Sequence, residues 1–311
     1  MAQITIDRIS GTVGAELGGV DLSSLDDEGV WGEIRQALFE HGVIFFRGQH
    51  LDPPALLRVG REFGNPSPYH DDNAPSPVPG VPGYPELEVL HREPDAKGKV
   101  VGEHWHTDQI FREKPTRATM LYAVEVPEAG GDTLFSSSVA AYSGLSPGLK
   151  RTLESLRAVH QFGAFRRGEF DAGPTVEATH PVIIRLPESG KRALYVGANA
   201  TIQFEGWTRE ESRGLLQYLF CLAPRPEFGC RYRWQKGSLA IWDNFQVLHY
   251  ATNDYAGHRR SMQRLTVEMS VFSEDTCDEH RSESSAASIL ERVSAVQSIT
   301  RGHVKNPSEA R

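Results

Sequence analysis

Cysteine is scarce in this chain: Cys221, Cys230 and Cys277 are its only three, none sits in a CxxC pair, and the count is odd. That usage suits free structural thiols in a reducing cytosol, so a cytoplasmic protein is expected. Long hydrophobic runs are absent as well. No stretch of about 18 uninterrupted apolar residues occurs, which excludes a membrane-spanning helix. Met1 to Gly11 carries Asp7 and Arg8 without a long apolar core, and reads as neither signal peptide nor membrane anchor. Positive charge is in deficit, with 33 Lys and Arg against 41 Asp and Glu and a formal net charge of -8. Without a dense Lys/Arg cluster there is no face for a phosphate backbone, and nucleic acid is excluded as a partner. No internal repeat of solenoid period is evident either. What remains is an ordinary globular composition, 39% hydrophobic and 24% charged over 311 residues. Such a chain can bury a sizeable core as one large domain or two, and its expected partner is a small molecule; a homo-oligomer is left open.

Taken in order, the chain reads as short strands, polar turns and a few helices. Ile4 and Ile6 alternate as in a strand, and Trp31, Ile34 and Leu38 recur at helical spacing up to a stop at Gly42. Val43-Ile44-Phe45-Phe46 predicts a buried strand, and Pro53 opens a second helix that closes at Gly64. Between 66 and 85 seven prolines mix with His, Asp and Asn, the composition of a long loop or lid, and 163–178 reads as a second such loop. β-type runs fall at Glu88 to His91, Ala118 to Val126, Thr133 to Phe135, Val182 to Arg185, Ala193 to Val196, Cys230 to Trp234, Leu239 to Trp242 and Arg264 to Phe272. Val139 to Leu145 and Pro147 to Leu156 predict helices, and Thr208 with Glu211 forms a capping box ahead of Leu215, Leu216, Leu219 and Phe220. So many short strands predict a mainly β protein with flanking helices, a double-sheet jelly roll over residues 1–272. A polar extension over 273–311 follows, with Ile289, Val293 and Val296 on one helical face.

The chemistry gathers around Gly102-Glu103-His104-Trp105-His106-Thr107-Asp108. A histidine and a carboxylate two residues apart on a strand point to one face and can grip one metal, so His106 and Asp108 form a candidate clamp. An isolated HxD is common by chance, so its weight depends on a third ligand. His249, just beyond Trp242-Asp243-Asn244, can complete a two-histidine, one-carboxylate set with open positions, the usual site of non-heme Fe(II) oxygenases. His104 shares the parity of His106 and Asp108, which makes an HxH clamp the rival and a pocket-wall histidine the blander alternative. Further on, Arg260 and Arg264 share a face with Met262 if their segment is extended, and Glu268 is the one acid near them at same-face spacing. Two buried cations need partners. Bound anions are the simplest, and acids from other strands are the alternative.

With these residues the chain resembles the taurine dioxygenase-like Fe(II)/2-oxoglutarate dioxygenases, from Ile4 to about Val271. The resemblance is carried by Trp105-His106-Thr107-Asp108, Val126-Pro127-Glu128-Ala129-Gly130-Gly131-Asp132-Thr133, Ile241-Trp242-Asp243-Asn244 leading to His249, and Arg260 with Arg264, in that order and spacing. Within the family, Glu88 to Phe111 and Asp254-Tyr255-Ala256-Gly257 look most like the bacterial aryloxyalkanoate dioxygenases. The resemblance implies that His106, Asp108 and His249 hold Fe(II), that Arg260 and Thr133 receive the distal carboxylate of 2-oxoglutarate, and that O2 takes a remaining position. The retained Asp108 favours hydroxylation over halogenation.

By the same resemblance Arg264 holds an anionic group of the substrate, a carboxylate or sulfonate, with Tyr69, His70 and His104 near it. Here the chain departs from its family. Tyr69 stands where taurine dioxygenases place a histidine, Gly102 replaces an asparagine, and Ala200 replaces an aromatic residue. Fewer bulky and polar groups imply a roomier pocket than taurine needs. The expected activity is oxidation of a small anionic substrate, aryloxy or ether in type, with release of succinate and CO2. The alternatives are a sulfonate or alkyl-sulfate dioxygenase and a jelly-roll binding protein without turnover.

Overall fold

Val43–Phe46 is apolar at every position, the pattern of a strand covered on both faces, and in the computed structural model of the chain all four side chains are buried. The structure describes residues 4–68, 78–162 and 176–268. The chain divides into two units, Met1–Val271 and Phe272–Arg311. The expected tail lies outside the described residues, as do Tyr69, His70 and the centres of both predicted loops.

That strand belongs to a nine-stranded sheet. Its path runs Thr5–Arg8, Ala15–Gly18, Val43–Phe46, Leu239–Asp243, Ala118–Glu125, Arg260–Glu268, Tyr84–Arg92 and Gly80–Val81, with Asn65–Ser67 also paired to Arg260–Glu268. A three-stranded sheet of Gly229–Tyr232, Thr133–Ser137 and Val247–Ala251 faces it. Phe135, Tyr232 and Val247 from the small sheet pack with Phe45, Leu121, Ala240, Trp242 and Met262 from the large one. Two sheets that share an apolar interior in this way form the jelly-roll core expected from the sequence.

Helices cover the outer faces because each carries one apolar stripe. Glu28–His41 buries Trp31, Ile34 and Leu38, is capped by Asp27, and ends where Gly42 takes φ 73°. Pro53–Arg61 buries Leu56 and Val59 against Leu265 and Val267 on the outer face of the large sheet; it stops at Arg61, short of the predicted Gly64. On the other side Arg209–Leu222 has the predicted capping box between Thr208 and Glu211. Its Leu216, Leu219 and Leu222 pack with Leu248, the outward neighbour of His249. No described helix is long and apolar enough to cross a membrane.

Two features decide where the site falls. Arg260–Glu268 is a strand from its first residue, earlier than predicted, and Arg260, Met262 and Arg264 are buried while Ser261 and Gln263 are half-buried, the parity expected. The stretch around His106, by contrast, is not a strand. It is a bent loop that touches the small sheet at one antiparallel bridge, His106 to His249.

Candidate metal and co-substrate site

That bridge is the foundation of the site. His106 N–H donates to the His249 carbonyl at 3.0 Å and His249 N–H donates to the His106 carbonyl at 2.7 Å, so the two backbones are locked side by side. Both rings then point into the sandwich, with centroids 4.0 Å apart. Asp108 Oδ1 lies 3.8 Å from Nε2 of each ring, and the three donor atoms all fall within 4.8 Å of one another. Among the described residues this is the cluster of histidine, cysteine and acid side chains that could hold a metal ion.

The donor chemistry fits a divalent cation. The His104 carbonyl can only accept, so His106 Nδ1 donates to it at 2.7 Å and leaves the Nε2 lone pair facing the cluster. Burial, with His249 beside it, holds His106 down to about 3, and burial holds His249 down to about 4, so both are neutral ligands at neutral pH. Burial works to raise the Asp108 carboxyl, but the imidazoles, Arg264 and a Thr119 hydrogen bond outweigh it, and Asp108 stays ionised. Two imidazoles and one carboxylate on one side leave the opposite side for other ligands, the facial arrangement of non-heme Fe(II) sites.

The support for this cluster was invisible in the sequence. Thr119, on the inner face of the large sheet, donates from Oγ1 to Asp108 Oδ2 at 2.7 Å. Asn244 donates from Nδ2 to Thr119 Oγ1 at 2.9 Å, and its Oδ1 accepts from Asp108 N–H at 3.2 Å and Trp242 Nε1 at 3.0 Å. Asp243 in turn accepts from Arg117 Nε at 2.7 Å and Nη2 at 2.8 Å, a buried pair that fixes the turn. Thus Trp242-Asp243-Asn244 supplies no donor to the cluster but braces two of its members, Asp108 through Asn244 and His249 through the Trp242 ring, whose centroid lies 4.7 Å from that of His249. Gly102 has a local reason too: its φ is 84°, and a Cβ there would stand 3.1 Å from His106 Cε1.

Replacing Thr119 by valine tests that support. The hydroxyl bond to Asp108 is lost with little change of shape, and metal affinity is expected to fall about 10- to 100-fold in a calorimetric titration.

Arg260 stands apart from this network. It is buried, and among the described residues its guanidinium has no hydrogen bond or ion pair; Nε is an orphan donor. Burial pulls its pKa down, with Tyr255 and Asp132 opposing. Gly131 makes room for it, since a Cβ at that position would lie 3.2 Å from Arg260 Cδ. Thr133 opens the strand two residues later, and its Oγ1 accepts from Trp234 Nε1 at 2.9 Å, so the hydroxyl proton is directed elsewhere. A buried, unpaired guanidinium and an oriented hydroxyl make a seat for an anion.

Arg264 meets the alternative that the sequence left open, an acid from another strand. The register sets it directly opposite Glu88 on the neighbouring strand, and its Nε and Nη2 donate to Glu88 Oε2 at 2.9 and 2.5 Å. The acid came from another strand, and Glu268, the sequence neighbour, is exposed. His104 stays close, with its ring 4.8 Å from that of His106, but its side chain is not one of the three converging donors. Tyr69 and His70 lie outside the described residues.

Jelly roll and donor set together place the chain among iron-dependent oxygenases. Residues 5–266 match the family model described as taurine catabolism dioxygenase TauD, TfdA family, and the chain belongs to that family. It is a dioxygenase dependent on Fe(II) and 2-oxoglutarate, with O2 as the further co-substrate. It is 32% identical to the alkylsulfatase of Acinetobacter baylyi over 85% of this chain and 85% of the relative. It is 33% identical to the 2,4-dichlorophenoxyacetate dioxygenase of Cupriavidus pinatubonensis over 75% of this chain and 87% of the relative. A crystal structure of a taurine dioxygenase from Burkholderia xenovorans superposes with a TM-score of 0.74 at 32% identity, covering 88% of this chain and 94% of that one.

The buried histidines also set a pH response of the metal-free protein. His106 and His249, with His160 and His180, titrate below 6.5 in the fold because burial disfavours the imidazolium. From 6.5 down to about 4 the unfolded chain therefore binds protons that the folded chain refuses. Stability from these groups is complete above 6.5 and falls as the pH drops through that window; Glu88, which burial pushes up, has the opposite sign. The denaturant midpoint is expected to fall between pH 7 and pH 5.

Proposed function

We propose that this dioxygenase oxidises a C–H bond of a small organic substrate in the cytoplasm, with His106, Asp108 and His249 holding Fe(II) and Arg260 and Thr133 holding the distal carboxylate of 2-oxoglutarate. The observation that carries the assignment is Arg260: a buried guanidinium without a hydrogen-bond or ion-pair partner among the described residues, in the same sandwich interior as the donor cluster. When bound, Fe(II) supplies the redox chemistry that couples loss of CO2 from 2-oxoglutarate to oxygen insertion. The protein's part is to orient. Arg260 takes one end of the co-substrate in a charge-assisted grip, Thr133 adds one donor, and the apolar inner faces around Phe135 and Trp242 exclude water.

Hydroxylation is the proposed primary outcome. Where the attacked carbon bears an ether or sulfate oxygen, the hydroxylated product collapses and the bond breaks; two relatives are named as dioxygenases of a sulfate ester and of 2,4-dichlorophenoxyacetate. The aryloxy-acid reading and the sulfonate or alkyl-sulfate alternative both place their anion at Arg264, which already donates to Glu88. Succinate formation, measured across paired acidic and neutral substrates under air, tests the proposal. Failure of the protein to bind 2-oxoglutarate would overturn it.

A further inference from the structure

Glu88 and Arg264 are partners by construction of the sheet. They sit opposite one another on antiparallel strands, each about 6% exposed, and both donors on the Nε edge of the guanidinium go to one carboxylate oxygen. The pair faces inward. Arg264 is also opposite Leu121, which shares its face with Thr119, the residue bonded to Asp108. It therefore stands beside the donor cluster, on the strand that also carries Arg260.

We infer that Glu88 determines specificity: it closes Arg264 to substrate anions, so the substrate carries an uncharged hydrogen-bonding group, such as a hydroxyl, ether, lactone or amide, at that end. This rests on the dioxygenase reading above. The two arginines of one strand are treated differently by their surroundings. Arg260 has no acid within ion-pair distance among the described residues, whereas Arg264 has one at 2.5 Å. A sulfonate, sulfate or carboxylate reaching for Arg264 has to displace Glu88, and removing one partner of a buried pair strands the other charge in a low dielectric. Alternatively it approaches a pair with no net charge, which offers a dipole and little attraction. A neutral polar group meets neither obstacle.

Binding of two anionic probes, phenoxyacetate and hexyl sulfate, is the test. Each is titrated calorimetrically into anaerobic protein loaded with Fe(II) and 2-oxoglutarate, and into metal-free protein. Glu88→Gln removes the negative charge paired with Arg264, and both probes are expected to bind about 100-fold more tightly than to the native protein. Adding Arg264→Met to Glu88→Gln removes the charge and returns affinity to the native level. Native affinity equal to that of Glu88→Gln, or a gain that survives Arg264→Met, overturns the inference. The double variant is decisive even where Glu88→Gln folds poorly. Equal weak binding by the native and double-variant proteins supports a closed arginine, and native binding that the double variant loses tenfold or more refutes it. The two readings fail differently: loss of 2-oxoglutarate binding in every protein strikes the dioxygenase assignment, while anion binding at Arg264 with 2-oxoglutarate chemistry intact strikes only Glu88.

Discussion

Alanine at His106, Asp108 or His249 is expected to abolish Fe(II) binding and all 2-oxoglutarate turnover. Each residue supplies one donor atom, and the three converge within 4.8 Å with no fourth acid or histidine joining them among the described residues. Removing an imidazole leaves a two-point clamp, and removing Asp108 deletes the only formal negative charge of the set. The readout is anaerobic titration with Fe(II) followed by the visible band that appears with 2-oxoglutarate; all three variants lack it. His104→Ala keeps it, because His104 acts on His106 through its backbone carbonyl, which alanine retains. Loss of the band in His104→Ala with retention in His106→Ala would move the first ligand two residues back along the loop.

Arg260→Ala carries the second large effect. Truncating one partner of a buried charge-assisted contact costs about 2 to 5 kcal/mol, so the 2-oxoglutarate requirement is expected to rise about 30-fold or more. Lysine rescues poorly, since it lacks the planar fork and leaves space where the guanidinium packs beside Tyr255. Metal binding without 2-oxoglutarate stays intact, which separates loss of the anion seat from general damage. An unchanged co-substrate requirement would place the anchor elsewhere.

The convergence of His106, Asp108 and His249 was legible because metal chemistry restricts residue type so narrowly: two histidines and a carboxylate in a fixed order leave few alternatives. The local structure that presents them was not. Parity on a strand was the reason for pairing His106 with Asp108, yet the segment is a bent loop, and what aims His106 is its bridge to His249. His249 itself lies on Val247–Ala251, a strand that the sequence did not announce because the turn residues Asn244 and Phe245 run straight into it. Glu88 was legible as part of a β-type run and as nothing more. Its role depends on register between strands far apart in sequence, and register is a property of the folded sheet. Thr119 and Asn244 escaped for the same reason, since ordinary polar side chains acquire a task only from what the fold places beside them.

The reciprocal hydrogen bonds between His106 and His249 have a consequence for the life of the protein in the cell. The tie between the two histidine backbones is made by peptide groups and not by a metal, so their spacing is expected to outlast chelation of the iron, and reloading with Fe(II) to restore activity without a refolding step.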